Sequence, residues 1–125
     1  MDVKLFFEES KLPNEGRTLS FQVLCKEGNA EIQKDAFILR RKGQFLSFLN
    51  ECPHWSVDLD MGDGEFYDST ADRIYCKNHA ALFVLPTGEC EIGPCRGRFL
   101  TRFSISTRPS GIEIELAPPY FALST

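Results

Sequence analysis

The sequence predicts an all-β fold, an antiparallel sandwich or barrel of short strands. Three observations predict it. Apolar and β-favouring runs recur along the chain, glycine and proline punctuate the gaps between them, and no window holds a long helical period.

Taken in order, Val3–Phe7, Leu19–Lys26, Ala36–Arg40 and Gln44–Leu49 are runs rich in residues that suit a pleated, half-buried surface. The last two flank Arg41-Lys42-Gly43, a tight hairpin turn in which Gly43 can take positive φ. Arg73–Cys76, Ala81–Leu85 and Glu89–Ile92 follow, the latter two joined by Pro86-Thr87-Gly88. Phe99–Ser106 and Gly111–Leu116 alternate in polarity, with Arg108-Pro109-Ser110-Gly111 turning between them. Residues 30–37 and Asp58–Met61 are the places for a turn of helix. The tail from Ala117 through Pro118 and Pro119 is expected to end regular structure. The 11 phenylalanines read as core, because most alternate beside Leu and Ile on strands, rather than as a platform for stacked bases.

The 125 residues suit one domain with one ordinary core, and 42% apolar with 26% charged residues is a globular balance. A net charge of −4 without a basic stripe argues against nucleic acid as a partner. Asp2, Glu8 and Glu9 stand where a secretion signal needs positive charge. No apolar run approaches the roughly 18–20 residues that span a bilayer. The expectation is a cytoplasmic, monomeric protein. Its 5 cysteines, an odd count, then point to metal binding rather than to a disulfide framework.

Two motifs carry the chemistry. Cys52-Pro53-His54 directly follows one strand, and Cys76-Lys77-Asn78-His79 directly follows another. The 2 histidines of the chain thus each trail a cysteine by two or three positions. A Cys₂His₂ set suits tetrahedral zinc, and it equally suits a [2Fe–2S] cluster in which two His replace two Cys on one iron. Structural zinc sites usually draw paired cysteines from one loop and paired histidines from another. Here each loop supplies one of each, which a two-metal cluster can use by taking both cysteines on one iron and both histidines on the other. A single zinc can also be held in this way.

The pattern Cys-x-His, spacer, Cys-x-x-His resembles the Rieske family. The resemblance runs from about Asn50 to Leu100. It takes in Ala80-Ala81-Leu82-Phe83 with Pro86-Thr87-Gly88, similar to the hairpin leaving the second ligand loop. It also takes in Gly93-Pro94-Cys95-Arg96-Gly97-Arg98, similar to the proline-bearing loop that covers the cluster. It implies a Rieske-like sandwich or barrel with a small cluster-binding subdomain, about residues 50–98, and a [2Fe–2S] cofactor held by Cys52, His54, Cys76 and His79. It further implies an electron carrier rather than an enzyme, working between a reductase and a terminal oxygenase or similar acceptor. A small subunit of a larger oxidoreductase and a zinc-stabilised binding module are the alternatives.

Two thiolates and two neutral imidazoles leave the oxidised cluster formally neutral. Such sites accept an electron at roughly −150 to +300 mV, against about −400 mV for plant-type ferredoxins. Ionisation of a ring N–H couples to oxidation and lowers the potential at alkaline pH.

Departures from the pattern narrow the branch. Val57 and Asn78 occupy the positions of the loop-bridging cysteines of respiratory-complex members, so that disulfide is absent. Ala81 and Phe83 stand where those members carry cluster-bonding hydroxyls, which implies a potential toward the low end. Ala80 replaces a common glycine. The acidic spacer Asp58–Glu65 reads as a solvated loop or a contact for a basic partner, and it lacks the full calcium-loop pattern. Cys25 reads as a buried strand residue, Cys90 and Cys95 as free thiols near the cover loop, Trp55 as packing, and Arg96 and Arg98 as ordinary exposed arginines, with a contact for an acidic partner as the lesser alternative.

Overall fold

Why the run Ala36-Phe37-Ile38-Leu39 is apolar at every position, and not at alternate ones, becomes plain in the computed structural model, which describes residues 2–53, 59, 66–77 and 80–123. All four side chains are fully buried, but on two different faces. Ala36 and Ile38 point into one core, with Val23, Leu49, Phe103, Ile112, Ile114 and Leu116. Phe37 and Leu39 point into a second core, with Leu46, Phe48, Phe66, Ile74 and Phe83. A strand covered on both sides loses the polar half of its alternation.

The chain order is β1 (Lys4–Glu8), a 3-10 turn (Glu9–Lys11), β2 (Thr18–Glu27), β3 (Ala30–Arg41), β4 (Gln44–Leu49), β5 (Tyr67–Asp68), β6 (Arg73–Cys76), β7 (Ala81–Val84), β8 (Cys90–Ile92), β9 (Arg102–Arg108), β10 (Gly111–Glu115) and β11 (Tyr120–Ala122). Seven strands form one antiparallel sheet in the order β1-β10-β9-β4-β3-β2-β11, and β5-β6-β7-β8 form a second. The larger sheet nearly closes on itself, because the Ala122 N–H donates to the Asp2 carbonyl at 2.8 Å. The smaller sheet lies wholly between β4 and β9 in sequence. Those two strands are themselves neighbours, with Ser47 opposite Phe103, and the Leu49 N–H donates to the Thr101 carbonyl at 2.8 Å. Among the described residues no helix is long and apolar enough to cross a membrane.

The predicted hairpin at Arg41-Lys42-Gly43 is present. Lys42 and Gly43 both have positive φ, 52° and 75°, and the Glu15 carboxylate accepts their two N–H groups at 2.6 and 2.9 Å.

Three expectations need correction. Residues 30–37 are not helical; they extend β3, with Ala30–Asp35 paired against Gln22–Glu27. The polar residues Glu31, Gln33, Lys34 and Asp35 hid this part of the strand. The tail does not end regular structure at the prolines, because β11 adds to β2 with Phe121 opposite Leu24. The expected strand from Phe99 begins only at Arg102, and Phe99 makes an isolated bridge to Glu89. The core reading of phenylalanine holds for Phe37, Phe48, Phe66, Phe83 and Phe103, but Phe6 and Phe99 are exposed.

Two devices fasten the small sheet to the large one. Phe37 stacks on Phe66 with ring centroids 4.1 Å apart. At the far end of β3, the Arg41 guanidinium grips Asp72 through two hydrogen bonds, 2.8 and 2.6 Å, while the Tyr67 hydroxyl donates to the same carboxylate at 2.6 Å.

Candidate metal centre

The first of the two loops leaves the barrel at the end of β4. Asn50, almost fully buried, fixes this exit: its N–H donates to the Asp35 carbonyl at 2.8 Å and its side-chain oxygen accepts the Leu59 N–H at 2.7 Å. The Leu59 carbonyl in turn accepts the Lys77 N–H at 2.9 Å. Leu59, completely buried, therefore ties the loop after Cys52 to the loop after Cys76. The sequence reading passed over both Asn50 and Leu59. A buried asparagine at a strand exit was the available signal for the first; the second acts through its backbone and left none.

The other loop is set by β-pairing. Cys76 closes β6 opposite Ala81 of β7, so the chain reverses within residues 77–80 and Ala80 takes φ 53°. That is the left-handed region in which glycine is at ease, and it accounts for the glycine common at this place.

Cys52 and Cys76 are both buried, and they share the second core with Cys90 and Cys95. None of the 5 cysteines is in a disulfide. Cys25 lies apart in β2, buried as expected; burial raises its thiol pKa. The histidines His54 and His79 lie outside the described residues, as do Trp55, Val57, Asn78 and the spacer positions 58 and 60–65. Among the described residues, no group of three or more His, Cys, Asp or Glu is arranged to hold a metal ion.

The segment Gly93–Arg98 is a compact turn that carries Cys95 into the core shared by Cys52 and Cys76. Arg96 N–H donates to Gly93 O (3.2 Å), Arg98 N–H to Cys95 O (2.9 Å), Gly97 N–H to Cys90 O (3.0 Å) and Cys90 N–H to Arg98 O (2.7 Å). The Arg98 guanidinium donates to the Pro53 carbonyl at 3.3 Å, tying this turn to the loop of Cys52. Gly93, at φ 118°, lets it lie flat on β7: a Cβ there would stand 2.9 Å from that of Ala81. Beside the turn, Ile92 and Phe99 are exposed. Burial above all pushes the Cys95 thiol pKa up.

Two reduced, buried cysteines at the mouths of two loops that are bonded to each other, the first loop tied through Pro53 to a glycine-bearing turn, suit thiolate ligation of iron. The donor set therefore fits an iron–sulfur centre on an all-β frame. A Rieske [2Fe–2S] domain model matches residues 5–109, and the chain belongs to that family, whose members bind a [2Fe–2S] cluster.

Solved structures agree on the fold. The ferredoxin of carbazole 1,9a-dioxygenase from Nocardioides aromaticivorans IC177 superimposes with TM-score 0.64 at 18% identity, over 90% of this chain and 95% of that one. The ferredoxin of Sphingomonas yanoikuyae B1 gives 0.58 at 16%, over 90% and 96%. A chain in the reduced complex between oxygenase and ferredoxin of carbazole 1,9a-dioxygenase gives 0.70 at 18%, over 92% of this chain but 28% of that longer one. No curated protein matches the sequence.

Proposed function

We propose that this chain is a one-electron carrier, a single-domain Rieske ferredoxin in which Cys52 and Cys76 bind one iron of a [2Fe–2S] cluster while His54 and His79 bind the other. The observation that carries the reading is the shared burial of Cys52 and Cys76 in loops joined through Leu59, within a chain of the Rieske family. When bound, the cluster supplies reversible one-electron chemistry in the potential range of histidine-ligated centres. The protein's part is to keep water from the two thiolates, packed as they are in one buried core with Phe83, Leu100 and Cys95, and to hold the two loops together through Leu59. Electrons pass to it from a reductase and on to an oxygenase or similar acceptor; an oxygenase is the partner named for the solved neighbours. We place it in the cytoplasm as a monomer. Arg96 and Arg98, both exposed, offer an acidic partner a contact beside the cover turn. The exposed Ile92 and Phe99 also suit a small subunit held in a larger oxidoreductase, and sedimentation of the native protein separates a free monomer from that arrangement.

Iron, sulfide and zinc analysis with EPR after dithionite reduction tests the reading. About two irons and two sulfides per chain, with a histidine-ligated signal, are expected; Cys76→Ser should lose both. Zinc without sulfide would replace the carrier with a zinc-stabilised module.

A further inference from the structure

The two candidate ligand loops leave different sheets, yet one hydrogen-bonded path runs between them. It begins on the barrel wall, where the Asp35 carbonyl of β3 accepts the Asn50 N–H at 2.8 Å. Asn50, 5% exposed, continues it through its side-chain oxygen, which accepts the Leu59 N–H at 2.7 Å. The Leu59 carbonyl then accepts the N–H of Lys77, the residue after Cys76, at 2.9 Å. Asn50 stands two residues before Cys52, so the path spans the site from one cysteine loop to the other. Of its links, only the one made by Asn50 depends on which side chain stands there. The neighbouring tie, Lys34 to Glu51 at 2.7 Å, is partly exposed and joins the first loop to the barrel alone.

We propose that Asn50 is a positioning residue for the cluster: its side-chain oxygen sets how the Cys52 loop stands against the Cys76 loop. The proposal rests on the cluster assignment given above. Its physical ground is that Leu59 is completely buried, so its N–H has no water to turn to if the Asn50 oxygen is removed. The loop must then shift to find another acceptor, and the Lys77 end of the path shifts with it. A span fixed by protein contacts presents the two thiolates in one arrangement. Supporting contacts around metal ligands commonly govern metal retention by roughly 10–100-fold. Without the Asn50 link, the loops would settle into several arrangements, and the ligand geometry would spread.

Hydrogen exchange of the loaded protein, with EPR after reduction, compares the parent with Asn50→Leu, Asn50→Asp and Lys34→Gln, after iron and sulfide analysis of each. Leucine is close to asparagine in size and has no acceptor. In Asn50→Leu the Leu59 and Lys77 amides should exchange about tenfold faster, while those of β10 keep the parent rate. Its EPR lines should broaden, and a chelator should strip its cluster about tenfold faster. Asn50→Asp keeps the acceptor oxygen and should return both exchange and linewidth to the parent values. Lys34→Gln should leave both unchanged. If Asn50→Leu does not fold, Asn50→Ser, whose oxygen falls short of Leu59, carries the same expectation. Unchanged exchange at Leu59 overturns the proposal. So does equal acceleration in β10, which would make Asn50 a residue of the fold as a whole. Failure of Asn50→Asp to restore the two readouts also overturns it, as does a Lys34→Gln effect as large as that of Asn50→Leu. Parent protein that lacks iron and sulfide would overturn the cluster reading itself; exchange at Leu59 is still read in that chain, so the two failures are distinguished.

Discussion

The two sheets of this molecule solve the problem of stability differently. The larger one relies on length: β2 and β3 pair over ten positions, and its strands wrap a core drawn from β2, β3, β4, β9, β10 and β11. The smaller one has strands of two to four residues, too short to stand alone, and its apolar side is completed by Phe37, Leu39, Leu46 and Phe48 from the barrel. The candidate ligand cysteines belong to the second kind of structure. A region whose core is half borrowed can give way locally while the barrel stays folded.

The largest effect should come from removing what is lent. Phe37→Ala deletes the ring that stacks on Phe66, at about 3–5 kcal/mol. Hydrogen exchange should then accelerate in β6–β8 more than in β1 and β10. Ile38→Ala, one residue along but facing the barrel core, should loosen both regions together. Identical exchange patterns in the two variants would mean that the sheets unfold as one unit.

The Arg41–Asp72–Tyr67 clamp is a smaller test of the same boundary. Asp72→Asn should cost about 1 kcal/mol once solvent screening is allowed for. The pH dependence follows from two opposite shifts. Arg41, then Tyr67, hold the Asp72 pKa well below its ordinary 3.8, so its stabilisation is complete above that value and is lost as pH falls through the lower folded one. Burial, then the bond to Asp72, raise Tyr67 from 10.0 to about 12, so its share is complete below pH 10.0 and is lost as pH rises through about 12. Thermal melts across pH should show a plateau between these limits, with the acid shoulder flattened in Asp72→Asn.

The smallest effect sharpens the comparison within the small sheet. Ala80 sits at φ 53°, where a side chain costs about 1–2 kcal/mol. Ala80→Gly removes that strain, offset in part by glycine's greater freedom when unfolded. A net gain under about 1 kcal/mol is expected, seen as a modest rise in melting temperature.

What the sequence disclosed tracks the same division. Barrel strands with clear alternation, such as Gly111–Glu115, were legible nearly to the residue, because one face meets the core and the other meets water. The first half of β3 was not, since its residues are mostly polar and its pairing is set by the turn at Gly28. β5, two residues long, has no period to detect. At the site, the spacing of Cys52 and Cys76 from their neighbouring histidines announced metal chemistry, and the structure gathers the two cysteines into one core. The tie through Leu59 uses backbone atoms alone, and the Arg41–Asp72 grip joins residues 31 apart, so neither leaves a local pattern to read. The arrival of Cys95 in the same core as Cys52 depends on how the Gly93–Arg98 turn folds, which spacing does not encode.

The bond between Leu49 and Thr101 has a consequence for chain architecture. Everything from residue 50 to residue 100 enters and leaves the barrel at one point, so the barrel fixes both ends of this excursion in adjacent strands. The entropic cost of closing such a loop rises by only about 0.6 kcal/mol for each doubling of its length. The excursion can therefore lengthen, shorten or be exchanged with little thermodynamic penalty to its host. It is a portable cartridge, and any antiparallel strand pair presenting a like pair of ends and an apolar face like that of Phe37 and Phe48 is a candidate socket for it.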